Sequence, residues 1–380
     1  MEHLPAEFSN PNRFPHFMLK EIYEQPETVR RVLSHWIDGA GRFTAPEGLP
    51  TPEELLRLSK ITIAASGSSR HAGLIGKFML ERLAGVMVEV DFASQYCYRD
   101  PVVWPDEMTI LISQSGTTVD TLAALQEARR KGSKSLAICN VAGSPLTRDS
   151  DATLLTYAGK EVAIAATKSF TAQITALLLL SIYIAQCRGA SLATIAGLQE
   201  SLKELPGRME SVLMMDKDCR DLARRFVRSQ NFLVAGRNIE YPVALEGALK
   251  LKETSYIQAE GLPTGELKHG PAALITEHLP MIVLATRHKN GSSSLAQYER
   301  TVSNIRELTN RGIPVVAVVT EGDAEIASII PDVLAMPSVD ELLQPTLAVI
   351  PLQLFAYHSG VARGNDVDQP RNLSKSVLVE

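Results

Sequence analysis

The chain has 380 residues, 45% hydrophobic and 21% charged, with 24 glycines and 21 prolines. That composition excludes disordered, collagen-like and coiled-coil classes, and at roughly 100–200 residues per domain the length predicts two domains. A net charge of −5 excludes the basic footprint that nucleic acid or an anionic membrane surface attracts, so neither is expected as a partner.

Met1-Glu2-His3 opens an acidic, proline-containing arm without a basic-then-apolar leader, which predicts a cytoplasmic protein. Strand-like runs follow at Ile61–Ala65, Val86–Phe92, Thr109–Ser113 and Ser135–Cys139, with helix-period stretches between them. The second half offers Phe232–Ala235, Met281–Ala285 and Pro314–Val319. This alternation predicts an α/β fold with parallel sheets. Most runs are wholly apolar, as strands covered on both faces require, whereas Val86–Phe92 (VMVEVDF) alternates and belongs nearer a sheet edge. The longest apolar run, Ala176–Ala185, falls short of the ~18–20 residues that span a bilayer and reads as a buried helix. Cys97, Cys139, Cys187 and Cys219 form no C-x-x-C pair and no Cys/His cluster with zinc spacing, so reduced thiols and no metal are expected.

The halves repeat. Gln126–Cys139 (QEARRKGSKSLAIC) and Arg306–Val319 (RELTNRGIPVVAVV) share one plan, helix end, glycine, strand, 180 residues apart. Asp151 and Asp332 open matching segments, each followed by an apolar helix, Ile174–Ala185 and Leu347–Tyr357. The predicted organisation is an arm (1–59), a first domain (60–190), a helical connector (191–225), a second domain (226–360) and a tail (361–380).

Two loops follow strands of the first half. ISQSGTT (Ile112–Thr118) leads into a helix that Thr117 or Thr118 is suited to cap. Loops at the carboxyl ends of parallel strands are where α/β sheets bind ligands, and a helix N-terminus there favours an anion. The alternative is an ordinary polar turn. SGSSRHAG (Ser66–Gly73) lacks both G-x-G-x-x-G and the P-loop pattern. Two hydroxyl-rich loops suit a small phosphorylated metabolite better than a nucleotide. In the second half, PVALEGALKLKE (Pro242–Glu253) puts Glu246, Lys250 and Glu253 at i, i+4 and i+7 of one helix face. That spacing fits a solvated ion-pair face or a base tuned by an ammonium. GELKHGP (Gly265–Pro271) sets His269 in a Gly/Pro-framed loop, exposed or acting as an acid–base group. The stretch DVDQPRNLSK (Asp366–Lys375) reads as a solvated terminus.

Together with HFMLKEIYEQP (His16–Pro26), ATKSFTAQ (Ala166–Gln173) and PRNLSKSVLVE (Pro370–Glu380), these segments resemble the isomerase half of glucosamine-6-phosphate synthase, a tandem of sugar isomerase (SIS) domains. The resemblance runs from about His16 to the last residue. It implies two flavodoxin-like three-layer α/β/α sandwiches. It also implies a phosphate loop of Ser113, Gln114, Ser115 and Thr118, with sugar contacts from Ser68, Ser69, Ile164 and Ser374. Glu253 matches the base that moves a proton between C1 and C2, and Lys250 matches the lysine beside it. His269 matches a ring-opening histidine borrowed from the neighbouring subunit of a homodimer with shared active sites. Lys375 matches a tail lysine able to form a Schiff base with an open-chain ketose. No cofactor and no metal are implied.

Departures from the synthase pattern are Ala166 for Ser, Gln95 for Glu, and Leu262-Pro263-Thr264 in place of small residues. The first cysteine is Cys97, so glutamine-dependent amidotransfer is not expected of this chain. The implied reaction is deamination of glucosamine 6-phosphate to fructose 6-phosphate and ammonia, as in SIS-type glucosamine-6-phosphate deaminases. Hexose-phosphate isomerisation, fructosamine-phosphate cleavage and non-catalytic sugar-phosphate sensing are the alternatives.

Overall fold

The computed structural model describes residues 14–287 and 292–376. The opening Met1-Glu2-His3 and the last four residues of the closing motif lie outside the described residues.

The chain divides into two compact units. One comprises Glu27–Glu161, Ala166–Glu200 and the tail from Ser374; the other comprises the arm to Pro26, Val162–Ala165 and Ser201–Leu373. The first unit carries β1 (Lys60–Ala65), β2 (Met87–Phe92), β3 (Glu107–Ser113), β4 (Lys134–Cys139) and β5 (Ala152–Leu155). They pair in the order β2-β1-β3-β4-β5, all parallel. The second unit carries β6 (Asn231–Gly236), β7 (Gln258–Pro263), β8 (Met281–Ala285), β9 (Val315–Thr320) and β10 (Val333–Met336). Their order is β10-β9-β8-β6-β7, again all parallel. Read from the other end, this is the same 2-1-3-4-5 arrangement, the flavodoxin-like order whose ligand crevice opens between the first and third strands.

Burial follows the residue pattern. Every residue of β3 (EMTILIS) is buried, and the apolar face of Leu111, Ala64 and Ala137 packs against Ala124, Leu125 and Ala128 of the helix Val119–Arg130. The alternating β2 is the edge strand. The apolar run of the first half extends into a 20-residue helix, Lys168–Cys187, long and apolar enough to cross a membrane yet buried over nearly all its length. It lies against the helix Gly67–Ala84 so closely that a Cβ on Gly76 would meet Leu177 at 2.9 Å. A core helix and a spanning helix share composition; burial against protein marks this one as core.

The apolar pattern does not predict β5, β7 or β10. The first and last have four residues each, too few for a periodicity, and β7 (QAEGLP) is a polar edge strand. Gly261 within β7 is required by packing, since a Cβ there would lie 2.6 Å from Leu245 Cα of the overlying helix. GELKHGP is not an open loop: Thr264–His269 winds into a 3-10 helix. The connector is helical, as its sequence indicates, with Leu192–Leu213 and Asp216–Arg225 in succession.

Candidate active site

In the first unit, the crevice lies where the chain leaves β1 and β3, whose ends are neighbours through the pair Ala65 and Ile112. After β3 the loop folds on its own hydroxyls. Ser113 Oγ lies 3.2 Å from Thr118 Oγ1 and accepts from Gly116 N at 3.1 Å, and Ser115 Oγ accepts from Thr117 N and Thr117 Oγ1 at 3.2 and 3.0 Å. Gly116 has φ +68°, and a Cβ on it would stand 2.1 Å from Ser144 Oγ, so glycine is required at this turn. Thr118 is the N-cap residue of the helix Val119–Arg130, but its side chain makes no capping bond; the hydroxyl turns to Ser113 instead. The result is a cluster of hydroxyls at a helix N-terminus, an arrangement suited to phosphate oxygens.

After β1 there is almost no loop. Gly67, at φ +54°, turns the chain directly into the helix Gly67–Ala84, so Ser68 and Ser69 sit in its first turn. Ser69 Oγ accepts from Gln173 Nε2 at 3.0 Å, which joins the ATKSFTAQ segment to this helix start. Ser374 is exposed and donates to the Ser376 carbonyl at 3.0 Å.

The tail is not a solvated terminus. Lys375 Nζ donates to Glu161 Oε2 at 2.6 Å. Glu161 is fully buried and also accepts from Thr167 N (3.0 Å), Ser169 N (3.1 Å) and Ser169 Oγ (2.7 Å). Burial alone would push its carboxyl up; the Lys375 charge and these bonds outweigh it and hold the group below the ordinary carboxylate range. Sequence reasoning missed Glu161, because nothing in one chain pairs positions 214 residues apart. Farther back, in the second unit, the Asp368 carboxylate accepts from Phe17 N and Met18 N at 2.9 and 2.8 Å, and the Asp368 carbonyl accepts from Ile164 N at 3.0 Å.

In the second unit, Tyr241–Ser255 forms one helix with Pro242 in its first turn. The face bearing Glu246, Lys250 and Glu253 is not solvated. Lys250 Nζ lies 3.2 Å from Glu246 Oε1 and 2.5 Å from Glu253 Oε2; Glu246 and Lys250 side chains are 0% exposed, Glu253 18%. Burial by itself disfavours the ammonium, but the two carboxylates reverse that and raise the Lys250 pKa above its usual value. Lys250 is therefore a fixed cation, and Glu253 is the one member of the trio that reaches solvent. The helix is held by Gln344–Ala362, on which Thr254 Oγ1 donates to the Ala356 carbonyl at 2.8 Å and Gly247 approaches Leu352 too closely for any Cβ. His269 is exposed at the end of its 3-10 helix.

The second unit's own crevice, between the ends of β6 and β8, holds a carboxylate. Glu240 is buried there, and Thr286 Oγ1 donates to its Oε1. Burial, helped by Glu341, pushes its pKa up to about 7. The folded state thus binds this proton more tightly than the unfolded chain, so the group's stabilising contribution is present at acid pH and is lost as pH rises through about 7. Glu240→Gln is expected to remove a pH-dependent cost on the order of 3 kcal/mol. Urea unfolding should show the variant gaining stability relative to the parent between pH 4.5 and 8, and parallel pH curves would refute this. Among the described residues, no group of His, Cys, Asp and Glu is arranged to hold a metal ion.

Comparison with known proteins agrees with this anatomy. The SIS domain model matches residues 54–183 and 226–363. The glutamine–fructose-6-phosphate aminotransferase (isomerizing) of Thermus thermophilus is 46% identical over 371 residues, which cover 97% of this chain and 59% of that protein. The chain thus spans about three-fifths of the length of the curated relatives it matches. The C-terminal domain of glucosamine-fructose-6-phosphate aminotransferase from Francisella tularensis superposes with a TM-score of 0.87 at 36% identity, covering 95% of this chain and all of that one. The glucosamine-6-phosphate deaminase of Thermotoga maritima shares the fold, with a TM-score of 0.69 at 20% identity over 95% of this chain and 99% of its own. The chain belongs to the SIS-domain family, as a tandem of two such domains homologous to the phosphosugar-isomerase half of the aminotransferases.

Proposed function

We propose that this chain deaminates glucosamine 6-phosphate to fructose 6-phosphate and ammonia. The observation that carries the reading is the buried trio Glu246–Lys250–Glu253, in which a carboxylate at the surface is backed by a permanently charged ammonium. Such a pair suits proton transfer between adjacent carbons: the carboxylate takes the proton, and the cation stabilises negative charge developing on the intermediate. In this proposal the hydroxyls of Ser113, Ser115 and Thr118, with Gln114, hold the phosphate. Ser68, Ser69, Ile164 and Ser374 contact the sugar. His269 of a neighbouring subunit in a homodimer assists ring opening, and Glu253 moves the C2 proton of the open-chain amino aldose to C1. The product is the imine at C2 of the ketose. Water is the abundant nucleophile for that imine, so hydrolysis with loss of ammonia is the net direction.

Ammonia release from glucosamine 6-phosphate is the test, run beside glucose 6-phosphate isomerisation and cleavage of a phosphorylated fructosamine. Ammonia from the first at a rate above the other two supports the reading; turnover of glucose 6-phosphate alone would replace it with plain aldose–ketose isomerisation. The phosphate assignment has its own check. A hydrogen bond to a charged group contributes about 1.5–3 kcal/mol, so Ser113→Ala is expected to raise KM by roughly 10–100-fold. Its kcat should change far less, and an unchanged KM would remove Ser113 from the phosphate site.

A further inference from the structure

Glu161 is a buried carboxylate that the proton transfer at Glu253 does not use, and it sits directly on the tail lysine. We propose that Glu161 is the proton acceptor and counter-ion that makes Lys375 competent to form an imine with the open-chain ketose phosphate, an inference that rests on the reading of Lys375 as an imine-forming amine.

An ammonium has no lone pair, and Lys375 is held against a carboxylate at 2.6 Å. Its proton must leave before it can attack, and Glu161 Oε2 is the acceptor already hydrogen-bonded to it. The transfer leaves a neutral amine whose nitrogen adds to the C2 carbonyl carbon, and the nitrogen's surplus proton passes to the former carbonyl oxygen to give a carbinolamine. Glu161 then returns its proton to the carbinolamine hydroxyl, the C–O bond breaks, and water departs. The nitrogen lone pair completes a protonated imine opposite the restored carboxylate. Atoms and charge balance: one ammonium and one ketone give one iminium and one water, and Glu161 ends as it began.

Three features of the site fit this role. The carboxylate is fixed by Thr167 N, Ser169 N and Ser169 Oγ, so it stays in place when the lysine reacts. Its side chain is fully buried, and once the amine gives up its charge the strongest influence holding the carboxyl low is gone; burial then weighs toward the protonated acid, against the bonds from Thr167 and Ser169. The iminium then occupies the place of the ammonium, keeping the buried negative charge paired.

Trapping with fructose 6-phosphate and sodium borohydride, read by peptide mass spectrometry at Lys375, is the test. The parent should give a reduced adduct at Lys375, and Glu161→Gln should form it at least tenfold more slowly. Glu161→Asp, which keeps a carboxylate one methylene shorter, should fall between the two. A purely structural Glu161 would give adduct at the parental rate in whatever fraction of either variant folds, and that result overturns the proposal. A parent that forms no adduct at Lys375 overturns it from the other side, because the lysine reading has then failed, and Glu161→Gln is not needed to see it.

Discussion

Glu253→Gln is expected to lower the rate of ammonia release from glucosamine 6-phosphate by ~10²–10⁴-fold, the usual contribution of a general acid–base group. The amide keeps the shape of the side chain and its place beside Lys250, so binding of the sugar phosphate should change little. The loss belongs in kcat, since the proton moves only in the transition state. Because Glu253 is 18% exposed, while Glu246 and Lys250 are wholly buried, the substitution should leave the melting temperature near that of the parent. Activity within threefold of the parent would take Glu253 out of the chemistry. The same variant tests the shared site. If His269 serves the neighbouring subunit, mixing inactive Glu253→Gln and His269→Ala chains yields mixed dimers with one intact site, restoring roughly a quarter of parental activity after random reassortment. Mixtures that stay inactive would place His269 in the site of its own chain.

The fold was legible in the sequence wherever strands were long and covered on both faces. β1, β3, β4, β6, β8 and β9 are apolar runs, and the alternation in β2 marked the sheet edge. Periodicity failed at β7, where Glu260, Gly261 and Pro263 reflect an edge strand under a closely packed helix. The helix bearing Glu246, Lys250 and Glu253 shows the limit for function. Spacing puts the three on one face, but whether that face meets water or protein depends on what packs around the helix, and its partner Gln344–Ala362 lies a hundred residues away. The ion pair under Lys375 was invisible for the same reason. Ser113, Gln114, Ser115 and Thr118 stood out because a turn is local, and its glycine and hydroxyls announce themselves within six residues. Glu240 did not, since its raised pKa comes from burial, with Glu341 adding to it, and burial is set by the fold.

Lys250→Met is expected to destabilise the protein by about 3–5 kcal/mol, the cost of leaving a buried carboxylate without its cation. Methionine fills most of the space, so the loss is electrostatic rather than a cavity. Glu246, 0% exposed, would then fold in its protonated form, and Glu253 would reorient toward water. The cost must therefore shrink as pH falls: a neutral carboxyl is cheaper to bury, so the variant should stand closer to the parent at pH 4.5 than at pH 8. Adding Glu246→Gln removes the stranded charge, and the double variant should recover most of the stability because a buried ion pair contributes little net energy against a well-packed neutral replacement. Catalysis should not recover with it. The cation that backs Glu253 is gone in both, so the double variant should fold as the parent does yet remain at least ~10²-fold slower, the magnitude lost when one electrostatic stabiliser of a developing charge is removed. Denaturant unfolding of the parent and the two variants at two pH values, with ammonia release measured beside it, separates these effects. A double variant that regains both stability and rate would show that Lys250 serves packing alone, and the proton transfer would then have to rest on Glu253 without an adjacent charge.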